Sequence, residues 1–450
     1  MANIVTAIDI GSFKVCAIIA VIDDEGKAKV IGEASVPANG IKKGEITGID
    51  EATNSVANVL NAAERMAGLT VSSAYVTING KQILSNNNRG VVAVSDEEIS
   101  EDDVFRALEQ ARTVSIPNTR EIIHLIPREF VVDQQTGIKV PIGMTGSRLE
   151  VDSHIISVPV TSKHNLEKCM QMIGLKIDGI VYTGWAASHS VLTPTEKELG
   201  VMLLDFGGGT VSITTFVEDE VTYSTSIPFG GNNITRDLAA GLRLSLEDAE
   251  KVKVSANELF KKADFVQSKQ KKTPVEKVKT KLDKEDEEDK TEGEEDEDKT
   301  DILDVSSLEI EGIKTISRKF FGDIVRARAQ EIFELVMQNV ESSGNDYKLP
   351  AGIVITGGSA QIPGITAIAK DVFGAPARVG TPRGLDGLVE GLSSPAFAAS
   401  QGLLIYAQGD EVARGDSGKM MGGTRRKTTT GKSGEGIFGK IGGLFKNILP

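Results

Sequence analysis

The stretch Ile4-Val-Thr-Ala-Ile8 leads directly into Asp9-Ile-Gly-Ser-Phe-Lys14, and a second apolar run, Val15 to Ile22, follows at once. Two apolar runs that flank a glycine turn indicate a β-hairpin. The turn carries a carboxylate, a hydroxyl and a lysine amine, which are groups that bind a metal ion or a phosphate. We call this segment hairpin 1.

The same pattern returns in the middle of the chain. The apolar run Leu199 to Phe206 contains Asp205, and the segment Gly207-Gly-Gly-Thr210 leads from it into another apolar run, Val211 to Phe216. We call this segment hairpin 2. A third apolar run, Gly352 to Thr356, leads into Gly357-Gly-Ser359. One such turn is an ordinary feature of a sheet, whereas two matching hairpins and a third glycine turn predict a site for the phosphates of a nucleotide.

The residue types in these turns suit a bound nucleotide. Glycine lets backbone N–H groups approach phosphate oxygens, because no side chain stands between them. Ser12 and Thr210 can add hydroxyl donors, and Lys14 can add a positive charge. Asp9 and Asp205 are predicted to hold Mg²⁺ through its water shell, because this ion dehydrates reluctantly. The chain has no G-x-x-x-x-G-K-[ST] motif, which excludes a P-loop ATPase.

These motifs resemble those of the superfamily that contains actin, the heat-shock chaperones and the sugar kinases. The segment Asp9 to Lys14 resembles its first phosphate motif, Leu204 to Thr210 its second, and Ile355 to Gly364 its adenosine motif. Within that superfamily the chain is most similar to the FtsA family of bacterial cell-division proteins. The supporting segments are His124-Leu-Ile-Pro-Arg-Glu-Phe130, Gly174-Leu-Lys-Ile-Asp178, Ser190-Val-Leu-Thr193 and Ile227-Pro-Phe-Gly-Gly-Asn232.

The resemblance implies an α/β, actin-like ATPase fold with two duplicated α/β halves and ATP between them. It also implies a small α+β domain inserted in the first half, which matches the short strands and single helix between residues 81 and 160. The expected subdomains are 1A (1–80 and 161–195), 1C (81–160), 2A (196–245 and 337–408) and 2B (246–336).

The expected nucleotide site combines the motif residues with family contacts after hairpin 2. Its members are Asp9, Gly11, Ser12, Lys14, Asp205, Gly207, Gly208, Gly209, Thr210, Gly230, Gly231, Asn232, Glu250, Lys253, Gly357, Gly358 and Ser359. For Glu250 and Lys253 an exposed, charged helix face is an equally good interpretation. The segment Gly184 to Ser188 offers no polar side chain to activate water where actin uses a glutamine, and Trp185 is interpreted as a packing residue. We therefore expect ATP binding with weak or absent turnover, and no catalytic residue is assigned.

Most of the net charge of −14 lies in one segment. Asp283 to Asp301 holds 13 acidic residues and 3 lysines, a charge of −10, which leaves −4 for the rest of the chain. Just before it, Lys261 to Lys281 holds 8 lysines and 2 acidic residues. So charged a stretch buries too little apolar surface to offset the entropy of ordering it, and we predict disorder over residues 269–300.

The C-terminal segment has the spacing of an amphipathic helix. After a predicted flexible linker over residues 409–435, residues 436–450 place their large apolar side chains on one helical face. These side chains belong to Ile437, Phe438, Ile441, Leu444, Phe445, Ile448 and Leu449. With basic residues in the linker, the pattern predicts binding to anionic lipid at a membrane surface. Docking in a partner's groove or on the protein's own core is the alternative.

The resemblance supplies partners that spacing alone does not. It implies a peripheral protein of the cytoplasmic membrane face at the division septum, which forms filaments, anchors the tubulin-like protein FtsZ and helps recruit later division proteins. Arg318, Lys319 and Asp323, at the start of a helix predicted over Ile316 to Val336, are candidates for binding the FtsZ C-terminal peptide. No nucleic-acid partner is expected.

Two other classes share the superfold. A metabolite kinase would need a carboxylate base aimed at a substrate hydroxyl, and has no use for a lipid-binding tail. A chaperone-type ATPase would carry a substrate-binding domain, and the stretch after Tyr406 is too short for one.

Overall fold

A computed structural model describes residues 3–23, 25–113, 116–270, 301–344, 349–388 and 390–420 of the chain. The charged segment 271–300 and the predicted membrane helix at 436–450 therefore lie outside the described residues. The described part folds around two large sheets and a smaller third one.

The first sheet has the strand order β11-β6-β1-β2-β3-β19. Its strands are β1 (Asn3–Ile10), β2 (Lys14–Ile22), β3 (Ala28–Pro37), β6 (Ser73–Ile78), β11 (Lys176–Tyr182) and β19 (Asp386–Gly387). A short ribbon of β4 (Ile41–Lys42) and β5 (Glu45–Ile46) follows β3. The central strands are apolar and buried almost throughout, as expected of a sheet covered on both faces.

Helices cover both faces of the first sheet. They are α1 (Ile49–Ala67), α3 (Val160–Met172) and α4 (Thr183–Val191), with the long C-terminal helix α10 (Ala398–Met420) on the opposite side from α1. The short helix α5 (Pro194–Leu199) follows α4 and contacts the second large sheet. Helix α1 buries the stripe of Ala52, Val56, Val59, Leu60 and Ala63, and it ends at Gly68 in the left-handed conformation.

The third sheet forms the inserted unit. Its strand order is β7-β10-β8-β9, built from β7 (Leu84–Ala93), β8 (Arg120–Val132), β9 (Gln135–Ile138) and β10 (Arg148–Pro159). Helix α2 (Glu101–Arg112) packs on it, and Ser100 and Asp103 form a capping box at the start of that helix. The unit has its own apolar cluster, including Val104, Leu108, Phe130 and Val151. The predicted α+β insertion in the first half is confirmed.

The second large sheet repeats the topology of the first. Its order, β14-β13-β12-β17-β18, is built from β12 (Val201–Phe206), β13 (Val211–Val217), β14 (Glu220–Ile227), β17 (Ile353–Thr356) and β18 (Ala377–Val379). In both sheets an antiparallel three-stranded meander continues into two parallel strands. This repeat confirms the prediction of two duplicated α/β halves.

The second half carries its own helices and one further ribbon. These are α6 (Gly231–Leu242), α7 (Leu246–Gln270), β15 (Ile302–Asp304), β16 (Thr315–Ser317), α8 (Arg318–Ser342) and α9 (Ile365–Phe373). Their apolar faces join the second sheet in one continuous core. Four single 3₁₀ turns complete the description, at Ser306–Leu308, Gly358–Gln361, Glu390–Leu392 and Pro395–Phe397.

The flexible linker predicted from residue 409 is wrong over its first part, since α10 continues to Met420. The buried residues Leu403, Leu404 and Ala407 fix the first turns of this helix against the sheet, and the Tyr75 hydroxyl donates to the Asp410 carboxylate at 2.7 Å. The described tertiary contacts of this helix therefore reach Asp410, one residue beyond Gly409. The remainder, 421–435, lies outside the described residues.

Two other boundaries also differ from the prediction. The helix expected from Ile316 to Val336 begins at Arg318, because residues 315–317 pair with β15, and it continues to Ser342. Helix α7 extends to Gln270, so the first two residues of the stretch predicted to be disordered are helical. None of the described helices is both long and apolar enough to cross a membrane.

Candidate functional site

Hairpin 1 joins β1 to β2 at the centre of the first sheet. Asp9 lies opposite Cys16 in the ladder, and the Gly11 N–H donates to the Lys14 carbonyl at 3.1 Å to close the turn. Asp9 is 8% exposed, and its Oδ1 accepts a hydrogen bond from the Thr77 hydroxyl at 2.8 Å. Burial raises the pKa of Asp9, while Thr77 and Lys14 oppose that change.

Hairpin 2 reproduces this geometry in the second half. Asp205 lies opposite Ser212, and the Gly207 N–H donates to the Thr210 carbonyl at 3.0 Å. Asp205 is also buried, and its pKa rises to about 7, first through burial and then through the charge of Asp9. The influence of Asp9 means that the two carboxylates lie close enough to interact, although they belong to different halves.

The two hairpins meet face to face. A Cβ placed on Gly209 would lie 2.8 Å from the Cβ of Ser12, and one placed on Gly208 would lie 2.9 Å from the Cβ of Phe13. The Ser12 hydroxyl accepts a hydrogen bond of 2.6 Å from the Gly44 N–H. The glycines of hairpin 2 are therefore required by the close approach of hairpin 1, in addition to their suitability for phosphate.

Lys14 supplies positive charge at this junction. Its ammonium lies over the ring of Phe397, 2.9 Å from the centroid. Burial lowers the pKa of Lys14, and Asp9 and Asp205 are among the groups that counteract this. One cation thus faces two buried carboxylates, an arrangement that a bound metal ion and a polyphosphate would complete.

The third glycine turn, after β17, packs behind hairpin 2. Gly357 has a φ of 85°, and a Cβ placed on it would lie 2.5 Å from Oδ1 of Asp205. Its N–H donates to the Pro395 carbonyl, and the Ser359 hydroxyl donates to the Gly207 carbonyl at 3.2 Å. Next to Gly358, by contrast, only the Ala396 methyl comes within 4 Å of an added Cβ.

The start of α6 supports hairpin 2 from another side. The N–H groups of Gly231 and Asn232 donate to the carbonyls of Gly207 and Gly208, at 2.9 and 2.8 Å. A Cβ on Gly230 would lie within 2.7 Å of both carbonyl oxygens. These three residues adjoin the predicted site, and their contact with a nucleotide stays a prediction.

Glu250 and Lys253 form a paired network at the same helix start. The Lys253 ammonium donates to the Glu250 carboxylate at 2.7 Å, to the Thr235 hydroxyl at 2.8 Å and to the Gly231 carbonyl at 3.2 Å. Lys253 is only 8% exposed. The alternative of an exposed charged face is therefore wrong for Lys253. Both side chains bond to the start of α6, which in turn bonds to hairpin 2.

The side chains at the junction suit Mg²⁺ better than a metal ion that is held by protein ligands alone. Within the described ranges no group of three or more His, Cys, Asp or Glu side chains is placed to hold a metal ion. Asp9 and Asp205 offer hard carboxylate oxygens, which suit Mg²⁺ directly or through its water shell, and Mg²⁺ in nucleotide sites typically takes its other ligands from phosphate and water. Cys16 and Cys169 are buried free thiols.

Trp185, in the segment between the halves, is a packing residue as predicted. In α4 it stacks on Phe216 of the second sheet, with ring centroids 5.9 Å apart. Next to it, the Thr183 hydroxyl donates to the Ile78 carbonyl within the first half.

The three candidates for a partner peptide lie on a different surface. Arg318, Lys319 and Asp323 occupy the first turns of α8, where the backbone N–H of Lys319 donates to the Asp301 carboxylate and the Arg318 guanidinium lies over the Phe260 ring. They are not part of the cleft. The seven apolar residues of the predicted membrane helix lie outside the described residues.

Four residues at the hairpins were missed by sequence reasoning: Gly44, Thr77, Asn79 and Phe397. The only signal for two of them is that polar Thr77 and Asn79 alternate with apolar residues at the end of the buried strand β6. Gly44 and Phe397 carry no sequence signal, because tertiary folding alone brings them to the turns.

Two models of known protein families match parts of this chain. The model described as the SHS2 domain inserted in FtsA matches residues 80–157, and the model of the cell division protein FtsA matches residues 202–402. The first match coincides with the inserted unit, and the second contains hairpin 2 and the third glycine turn.

Full-length relatives agree with these matches. The chain is 33% identical to the cell division protein FtsA of Pseudomonas aeruginosa, over 92% of this chain and 93% of the relative. It is 32% identical to that of Borreliella burgdorferi, over 90% and 91%. Among solved structures, the PilM–PilN type IV pilus biogenesis complex matches with a TM-score of 0.58 at 13% identity, covering 90% of this chain and 98% of that one, which supports the fold alone.

Proposed function

Because the chain belongs to the FtsA family of cell division proteins, we propose that it binds ATP with Mg²⁺ between its two halves and assembles into actin-like filaments. The observation that carries this proposal is the contact of hairpins 1 and 2, with Asp9 and Asp205 buried beside it. Each hairpin belongs to a different half, so a nucleotide bound by both would hold the halves together.

The division of work among the residues follows from their chemistry. The backbone N–H groups of the glycine turns and the Ser12 and Thr210 hydroxyls would bind phosphate oxygens, and Lys14 would balance their charge. Asp9 and Asp205 would hold Mg²⁺, which when bound neutralises phosphate charge. Glu250 and Lys253 would support the adenine side of the cleft through the start of α6. Since the segment Gly184 to Ser188 offers no obvious polar side chain to activate water, we propose weak or absent turnover.

We further propose that the protein ties FtsZ to the cytoplasmic membrane face at the septum and helps recruit later division proteins. In this proposal the start of α8, with Arg318, Lys319 and Asp323, binds the C-terminal peptide of FtsZ, and the C-terminal apolar stripe binds anionic lipid. Support comes from family membership and from the sequence pattern of the tail.

The test of nucleotide binding is Asp205→Ala, compared with Asp152→Ala. Asp152 lies on the sheet of the inserted unit, where it pairs with Arg89. We expect Asp205→Ala to abolish Mg-ATP binding in calorimetry and to leave the far-ultraviolet circular dichroism spectrum unchanged, whereas Asp152→Ala keeps the parent affinity. An affinity of Asp205→Ala within threefold of the parent would contradict the proposal.

A further inference from the structure

The carboxyl end of β6 lies between the two hairpins and bonds to both. Thr77 accepts a hydrogen bond from the Ile10 N–H at 2.9 Å and donates its own hydroxyl proton to Asp9. Asn79, two residues on, donates from Nδ2 to the Thr210 hydroxyl at 3.1 Å and to the Ser212 hydroxyl at 2.9 Å. Residues two apart in extended chain share a face, so one strand end contacts hairpin 1 and hairpin 2 together.

The orientation of the Asn79 amide is fixed by its partners. Its oxygen accepts from the Gly80 N–H at 2.9 Å, and both hydrogens of its nitrogen are used on hydroxyls. A reversed amide would place two donor hydrogens against the Gly80 N–H. Because Asn79 is 8% exposed and Ser212 is fully buried, water does not readily replace these bonds.

This geometry sets the role of the Thr210 hydroxyl. A threonine hydroxyl has one proton to donate and can accept two hydrogen bonds. Because Thr210 accepts from Asn79, its own proton is left for another acceptor. The Ser12 hydroxyl is placed in the same way, since it accepts from the Gly44 N–H. In both hairpins the protein thus uses the hydroxyl as an acceptor and leaves its proton for a group at the junction.

We propose that Asn79 is a positioning residue for the nucleotide, acting through Thr210. It directs the Thr210 hydroxyl proton toward a phosphate oxygen and fixes hairpin 2 to the first half of the molecule. This inference rests on the proposed function, because it concerns the same phosphate site. Asn79 itself touches no nucleotide in this proposal.

An aspartate at this position would reverse the polarity of the contact. It has nearly the same shape but only acceptor oxygens, so Thr210 and Ser212 would donate to it. The Thr210 hydroxyl hydrogen would then no longer be available to a phosphate oxygen. The aspartate would also add negative charge beside a polyphosphate. Alanine would instead leave Thr210 free to rotate. The expected order of damage is therefore Asn79→Asp above Asn79→Ala.

The experiment measures the affinity of the full chain for Mg-ATP and Mg-ADP by calorimetry. We expect Asn79→Ala and Thr210→Val each to weaken binding about 10-fold, and Asn79→Asp to weaken it about 30-fold or more, because hydrogen bonds to charged groups are the strong ones. The matched control, Asn86→Asp, makes the same chemical change at an exposed position of β7 and should keep the parent affinity.

A double-mutant cycle separates positioning from a general structural role. If Asn79 acts through Thr210, the pair Asn79→Ala/Thr210→Val should weaken binding about 10-fold, as each single change does, instead of the roughly 100-fold expected for independent effects. A 100-fold loss, or parent affinity for Asn79→Ala, would overturn the inference.

Two remaining outcomes are also decisive. If Asn79→Ala lowers the melting temperature of the nucleotide-free protein, the Thr210→Val background decides: a structural role predicts that Asn79→Ala weakens binding further in that background, whereas a role through Thr210 predicts no further loss. If the parent chain binds neither nucleotide, the proposed function fails, and this inference with it. Parent binding together with unaffected variants overturns only the role of Asn79.

Discussion

At the scale of single residues, the site combines groups that disfavour one another in the absence of a ligand. Asp9 and Asp205 are both buried, and Asp205 is held near a pKa of about 7 by burial and by Asp9. Lys14 is itself partly desolvated, so its charge compensates the carboxylates incompletely. Sites prepared for a charged ligand typically show such perturbed pairs.

The pKa of Asp205 predicts how the stability of the nucleotide-free protein changes with pH. Its folded pKa lies above the ordinary value, so the folded state binds more protons between about pH 4 and pH 7. Stability should therefore fall as the pH rises through this window. Asp205→Asn mimics the protonated form, and we expect it to be more stable than the parent by about 4 kcal/mol at pH 8 and nearly equal to it at pH 4. Denaturant unfolding at the two pH values checks this, and equal stability at pH 8 would contradict it.

Gly357 allows a direct measurement of the space behind hairpin 2. Gly357→Ala should cost about 1 kcal/mol for its φ of 85° and about 1–3 kcal/mol more for contact with Asp205 and Phe206. Gly364 is the matched control, since its φ is 80° and nothing lies within 4 Å of an added Cβ. We expect denaturant unfolding to show that Gly364→Ala loses only the cost of the positive φ, about 1 kcal/mol. Equal losses for both variants would show that the turn is not tightly packed.

At the scale of elements, the inserted unit is bonded to the second half as well as to the first, into which it is inserted. Glu220 at the start of β14 pairs with Arg128 at 3.2 Å and with Lys139 at 2.9 Å. His154 of β10 is fully buried, with its ring nitrogens 2.6 Å from the Asn87 side chain and 3.0 Å from the Ser224 hydroxyl. Movement between the halves must therefore involve this polar contact.

His154 makes the contact sensitive to acid. Burial, and then the charges of Arg128 and His124, lower the pKa of His154 to about 3. The unfolded chain thus binds more protons below about pH 6.5, so stability should fall as the pH decreases from there. At pH 5 this group should account for about 2 kcal/mol of the loss, and His154→Gln, which stays neutral, should remove that part.

The comparison uses denaturant unfolding at pH 7 and pH 5. His164→Gln, at an exposed position of α3, is the control for the loss of an imidazole. A parent and a His154→Gln variant that lose the same stability between the two pH values would contradict this account.

At the scale of the whole molecule, two halves of equal topology meet at their turns, and the sequence predicts an apolar stripe in the segment after α10. The nucleotide site and the tail are separate in sequence. A change that abolishes the function of one should therefore leave the function of the other intact. Replacing both Phe438 and Phe445 by Glu removes two side chains that contribute roughly 1.5–3 kcal/mol each when buried. We expect co-sedimentation with anionic liposomes at 0.3 M salt to be lost and Mg-ATP affinity to be unchanged.

The control for the tail places the same charges off the stripe. Gly439→Glu with Asn447→Glu adds two carboxylates at helical positions that face away from the apolar residues. This variant should still co-sediment. If the Phe438 and Phe445 variant sediments like the parent, the membrane interpretation fails and docking on a partner groove is favoured.

The sequence by itself determined the two hairpins. They are local features, because an apolar strand, a carboxylate, glycines and a hydroxyl stand within a few residues of one another. The family resemblance followed from these motifs, and it implied the duplicated architecture. The inserted unit near residues 81–160 was predictable because composition and periodicity describe a contiguous stretch of chain.

Only the tertiary structure decided what surrounds those turns. Asn79, Thr77 and Gly44 reach the hairpins because separate strands of two halves converge there, and no spacing rule relates residues so far apart in sequence. From the sequence, an exposed Lys253 was as good an interpretation as one in the nucleotide site. Its burial is fixed by hydrogen bonds to Thr235 and Gly231 on another helix. The same holds for α10, which continues beyond Gly409 although its composition predicts a linker. In each case contacts between distant segments outweigh the weak local preference of the chain.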